Sequence, residues 1–151
     1  MSHLLNELPT RYLFEDVQTV GYAHLNAGNH LAADKVLTIA IETIHQFYHH
    51  LGHEDLGSTE GGFFLMMNTT VDYISEARYG TRLKTRFDIC QSGKKTLDYA
   101  FSIINQETQD EVARVSIRNL FFDTTLQKPA SIPSALIEKI NGLRTSGNEI
   151  R

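Results

Sequence analysis

The sequence predicts an α+β domain in which one long buried helix is enclosed by an antiparallel sheet. From about Asp34 to Leu51 the apolar residues Val36, Leu37, Ala40, Ile41, Ile44, Phe47, Tyr48 and Leu51 recur at steps of three and four, the period of a helix burying one broad face. After a glycine-rich turn at Gly57 to Gly62 the period changes to two, with Phe63, Leu65, Met67, Thr69, Val71 and Tyr73 on one face of a long strand. Helical segments alternate with strands too rarely for a doubly wound parallel sheet.

Taken in chain order, Asp16 to Tyr22 reads as a strand ahead of the helix. Within the helix, Ile39 and the small Ala32, Ala33 and Thr43 carry the apolar surface further round the cylinder, so the helix is expected to be covered on more than one side. Gly52 supplies its stop. Leu83, Phe87 and Ile89 mark the next strand. Leu97, Tyr99, Phe101 and Ile103 follow the turn Ser92-Gly93-Lys94, and Val112 to Phe122 follows the polar loop Asn105 to Asp110. Connections this short suit antiparallel neighbours. A short helix is expected after Pro133 and a frayed tail from Thr145 to Arg151, within a single domain over residues 1–151 that has no internal repeat or linker.

At 151 residues with 41% apolar side chains, the chain can bury a sizeable core without metals or disulfides. The single cysteine, Cys90, lies in an alternating apolar stretch and reads as a buried free thiol in a reducing compartment. The first fifteen residues lack a basic start followed by an apolar run, and no stretch approaches the roughly 20 apolar residues that span a bilayer. A cytoplasmic protein with no membrane partner is expected. A net charge of -4 gives no electrostatic case for nucleic acid. The cluster Arg78, Arg82, Lys84 and Arg86 alternates along a strand and reads as a solvated face.

The segment Tyr22-Ala-His-Leu-Asn-Ala-Gly-Asn-His-Leu31, with the helix behind it, resembles the entry to the central helix of hot-dog-fold thioesterases of the 4-hydroxybenzoyl-CoA type. The family pattern of an Asp, two variable residues, a Gly, a His and an apolar residue falls on Asn26, Ala27, Gly28, Asn29, His30 and Leu31. Tyr73, Tyr79-Gly80, Ser92-Gly93-Lys94, Val112-Ala113, Phe122-Asp123 and Ile132-Pro133 extend the resemblance over most of the chain. It implies a hot-dog fold, the sheet wrapped around the helix, and an acyl-CoA thioester hydrolase with no cofactor beyond the CoA of its substrate. It also implies a homodimer or homotetramer with sites at the subunit boundary. The family's catalytic aspartate is replaced by Asn26, and the position two residues earlier, where some relatives carry an acid, is His24.

Thioester hydrolysis needs a polarised carbonyl and an activated water or nucleophile. Free backbone N–H groups and the positive dipole end at the helix start, around Ala32, Ala33 and Asp34, suit a developing oxyanion, and Gly28 allows close approach of substrate. The candidate bases are His24, His30 and Asp34, with Asn26 orienting the water and His24 placed first. Asp34 has the simpler role of balancing the helix dipole. Glu42, His45 and His49 share one helix face, and His49, His50 and His53 cluster at its end; both sets read as polar surface before metal site, and no metal is expected. Arg82, Lys84, Arg86 and Arg118 are candidates for the phosphates of CoA. The run Phe63 to Met67 reads as core before acyl pocket. Two other functions fit the same features: a noncatalytic acyl-CoA or acyl-carrier binding module, and a hot-dog dehydratase acting on 3-hydroxyacyl thioesters.

Overall fold

A computed structural model of the chain describes residues 3–53, 58–59 and 61–145. The elements are β1 (Phe14–Thr19), a 3₁₀ turn (Tyr22–His24), α1 (Ala33–His50), β2 (Ser58–Thr59), β3 (Gly62–Tyr73), β4 (Arg82–Gln91), β5 (Thr96–Asn105), β6 (Glu111–Asp123), β7 (Lys128–Pro129) and α2 (Ser134–Thr145). The strands form one sheet in the order β1-β4-β5-β6-β3-β2, with β7 on β6. Every pairing is antiparallel. With the long helix packed in its concavity, this is the hot-dog fold implied by the resemblance.

α1 buries Val36, Ile39, Ala40, Thr43, Ile44, Phe47 and Tyr48, a broad face of the kind expected of an enclosed helix. Phe47 meets Phe14 and Phe87 edge-on, at centroid distances of 5.4 and 5.3 Å. These contacts tie the helix to β1 and β4. Gly52, with φ of 99°, ends the helix in a conformation that other residues rarely adopt. Gly62 is fixed by close approach instead: a Cβ there would stand 2.2 Å from the Phe122 carbonyl oxygen. α2 adds Leu136 and Ile140 to the core, and its Arg144 pairs with Asp88 on β4.

Two expectations are corrected. Cys90 is exposed. The inward positions of β4 are Leu83, Thr85, Phe87 and Ile89, so the following residue points outward. The face expected from Phe63 to Tyr73 is not continuous, because the register slips between Met66 and Asn68. Ahead of this bulge Phe64 turns inward against Tyr48 and Phe121, and beyond it Val71 packs on the core. Leu65 and Met67 are left 42% and 53% exposed. The frayed tail expected from Thr145 onward lies outside the described residues except for Thr145 itself, and part of the turn at Gly57 to Gly62 lies outside them too.

The N-terminal segment straps the outer face of the sheet. Asp72 accepts the amides of Leu5 and Asn6 at 3.0 and 2.8 Å, and Arg114 donates to the Asn6 carbonyl at 3.0 Å. The Arg86 guanidinium lies 4.2 Å above the Tyr12 ring. Among the described residues, no helix is long and apolar enough to cross a membrane.

Candidate functional site

The loop into α1 is built on Asn26. Its side-chain oxygen accepts the backbone amides of Gly28 at 2.9 Å and His30 at 3.1 Å, while its backbone N–H donates to the His30 carbonyl at 2.9 Å. Asn29 takes the left-handed conformation at φ 64°, which asparagine tolerates well. The Asn26 oxygen is thus spent on holding the turn. A carboxylate at this position could make the same two bonds.

The helix start is anchored from both sides. Leu31 donates to the Ala77 carbonyl and Ala32 to that of His24, each at 2.8 Å. Ala32 is the N-cap and offers no side-chain acceptor. Lys35 and Val36 donate back to the Ala32 carbonyl. The amides of Ala33 and Asp34 have no acceptor among the described residues, and they are the free donors that the helix dipole makes receptive to negative charge. Tyr73, at the end of β3, donates its hydroxyl to the Ala33 carbonyl at 3.0 Å.

A cleft of about 350 Å³ opens at this point, lined by Asn26, His30, Leu31, Ala33, Tyr73, Ile74, Ser75 and Glu76. Of the expected site residues it brings together Asn26, His30 and Ala33, and leaves His24, Gly28, Ala32 and Asp34 outside its lining. His24 uses Nδ1 to accept the Gly21 amide at 2.9 Å, a bond that shapes the 3₁₀ turn. Asp34 stands exposed in the first helical turn. His30 is only partly exposed, and its Nε2 lies 3.2 Å from Glu76 Oε2.

From the sequence Tyr73 is read as the end of a strand face and as part of the resemblance, and Ser75 and Glu76 do not enter that reading. These residues follow a strand that pairs with β6, and they reach the helix start because the chain then lays His30 beside Arg78 in an antiparallel bridge. Their placement depends on a pairing some fifty residues apart in sequence, for which no local pattern gives a signal.

The expected CoA-binding cations are differently committed. Arg118 forms a two-pronged pair with Asp98 at 2.7 and 2.8 Å, which lowers the Asp98 pKa chiefly through that bond. Arg86 is engaged with Tyr12. Arg82 and Lys84 lie on β4, and Arg78, outside the lining of the cleft, stands 4.0 Å from the Glu76 carboxylate. On α1, Glu42 accepts from Gln46, while His50 and His53 lie against the rings of Phe14 and Tyr48. No group of three metal-ligating side chains occurs among the described residues.

The fold recurs in solved structures. A 1,4-dihydroxy-2-naphthoyl-CoA thioesterase from Synechocystis superposes with a TM-score of 0.71 at 16% identity, over 87% of this chain and 97% of the other. A 12:0-ACP thioesterase from Umbellularia californica does so with a TM-score of 0.74 at 14% identity, over 86% of this chain and 50% of its own length. No curated protein sequence matches the chain. The model of the thioesterase-like superfamily matches residues 20–140, nearly all of the hot-dog core and the whole lining of the cleft, and the chain therefore belongs to the thioesterase-like superfamily.

Proposed function

We propose that this protein hydrolyses acyl-CoA thioesters to the free acid and CoA. The carrying observation is the pair of unfilled amides at Ala33 and Asp34, at a helix end without a side-chain cap, beside an open cleft that contains an imidazole. Hydrolysis places negative charge on the thioester oxygen as water adds to the carbonyl carbon. Preorganised donors stabilise that charge more than the ground-state carbonyl. Collapse of the tetrahedral intermediate then releases CoA as its thiolate. The lead-in from His24 through Asp34 holds the donors in place, and His30 presents its ring at the cleft. Nothing in this scheme calls for a cofactor, and we place the protein in the cytoplasm.

We further propose a homodimer formed through β3. Among the described residues, β2 covers this strand only at Gly62 and Phe63, and Leu65, Met66 and Met67 are exposed on it. An antiparallel edge of this length is self-complementary about a two-fold axis, and leaving it open invites aggregation. Two such dimers stacked through their outer faces would make the tetramer.

The test is thiol release from a panel of acyl-CoAs of varied chain length and aromatic character. Steady turnover is expected on at least one. Tight acyl-CoA binding without turnover would overturn the hydrolase in favour of a binding module, and hydration of an enoyl-CoA would point to the dehydratase.

A further inference from the structure

We infer that Glu76 is the base that activates water, supplying from the segment after β3 the carboxylate that the loop before α1 lacks. The inference rests on the hydrolase reading above and assigns it a catalytic residue. Among the described residues, Glu76 carries the one carboxylate in the lining of the cleft that also contains Ala33. It is held from both sides along the backbone. Ile74 and Ser75 donate to the Val112 carbonyl, the Ala77 carbonyl accepts from Leu31, and Arg78 bridges to His30. A residue between such anchors has little freedom to leave the helix start.

The carboxylate itself is oriented unevenly. His30 Nε2 lies 3.2 Å from Oε2, and Arg78 Nη2 lies 4.0 Å from the same oxygen. Both neighbours stand on the Oε2 side, the buried His30 Nε2 near it but without an aligned hydrogen bond to any described residue, and Oε1 has no partner among the described residues. With the side chain 67% exposed, Oε1 is open to a water in the cleft. The groups expected from sequence are less well placed. The Asn26 oxygen already accepts two amides, His24 Nδ1 accepts one, and Asp34 lies outside the lining.

The step balances as follows. Glu76 takes one proton from water as the water oxygen bonds to the carbonyl carbon, and the carbonyl electron pair moves onto the oxygen facing the Ala33 and Asp34 amides. The C–S bond then breaks, and the proton held by Glu76 passes to the departing thiolate. The products are the carboxylic acid and CoA, with Glu76 again ionised. His30 is a positioning residue for the carboxylate.

The experiment compares wild type, Glu76→Gln and Glu76→Ala on the acyl-CoA that wild type turns over fastest, with melting curves to confirm folding. Glu76→Gln is expected to lower kcat by about 100-fold or more with KM changed less than about threefold, the usual range for loss of a general base. Added formate is expected to restore part of the rate to Glu76→Ala and none to wild type. Retention of kcat within about threefold by both folded variants overturns Glu76 as the base and leaves the hydrolase standing. Absence of turnover by wild type on every acyl-CoA overturns both.

Discussion

The hydroxyl of Tyr48 on α1 lies 2.5 Å from that of Tyr99 on β5, both buried, so the helix and the centre of the sheet share one hydrogen bond inside an apolar core. Burial raises the pKa of both rings, and for Tyr48 the proximity of Tyr99 adds to the rise. Neither ring ionises in the folded chain where a free tyrosine would, near pH 10. Below that value folded and unfolded chains hold the same protons, and the pair gives stability no pH dependence. Above it the unfolded chain ionises first, and stability falls as pH rises. Melting temperatures measured from pH 8 to 11.5 are expected to drop for wild type and to drop less for the Tyr48→Phe, Tyr99→Phe double variant. Tyr99→Phe alone strands the Tyr48 hydroxyl and is expected to cost about 1–3 kcal/mol in a urea melt at neutral pH.

The strap on the outer face responds to acid instead. Asp72 has its pKa lowered, first by the Leu5 amide and also by Asn6 and the Arg114 charge. A depressed value means that the stabilisation is present above the ordinary carboxylate range, near pH 4, and is lost as pH falls through the folded value. The protection of the Leu5 and Asn6 amides, relative to the intrinsic exchange rate at each pH, is expected to fall on acidification, and Asp72→Ala is expected to have lost that protection already at pH 7. Unchanged protection in that variant would mean that the strap is held by other contacts.

Asn26 is predicted to tolerate aspartate and not alanine. Asn26→Ala removes the acceptor for Gly28 and His30 and is expected to cost about 1 kcal/mol and to lower turnover. Asn26→Asp keeps both bonds and is expected to melt close to wild type. Equal destabilisation by the two substitutions would contradict the role given to the side-chain oxygen.

On the dimer proposed through β3, Met67→Lys puts a charge on the edge at the most exposed of Leu65, Met66 and Met67. Sedimentation is expected to show a shift from dimer toward monomer at micromolar concentration, with unchanged far-ultraviolet circular dichroism.

The helix, the strands and their order were legible because each rests on local periodicity: Val36 to Leu51 in steps of three and four, Leu83 to Ile89 in steps of two. The β3 face was misread because a single bulged residue at Met66 to Asn68 reverses the alternation, and alternation is all that a strand shows in sequence. The outward turn of Cys90 was lost for a related reason, since an apolar flank hides which of two adjacent residues faces in. At the cleft, the helix start and the Asn26 loop were readable as a contiguous motif. Glu76 was not, because its distance from His30 is set by the pairing of the chain at Arg78 and by no spacing along it.

Alanine is among the poorest residues for the position that Ala32 occupies, and serine or aspartate there would tighten the helix by about 1 kcal/mol. Such a residue would also accept from the Asp34 amide, one of the two donors that the proposed reaction needs open. On the proposed reaction, stability and turnover are set against each other at one side chain, and the substrate would act as a transient cap, firming the helix while a tetrahedral oxyanion is seated on it and releasing it when the acid leaves.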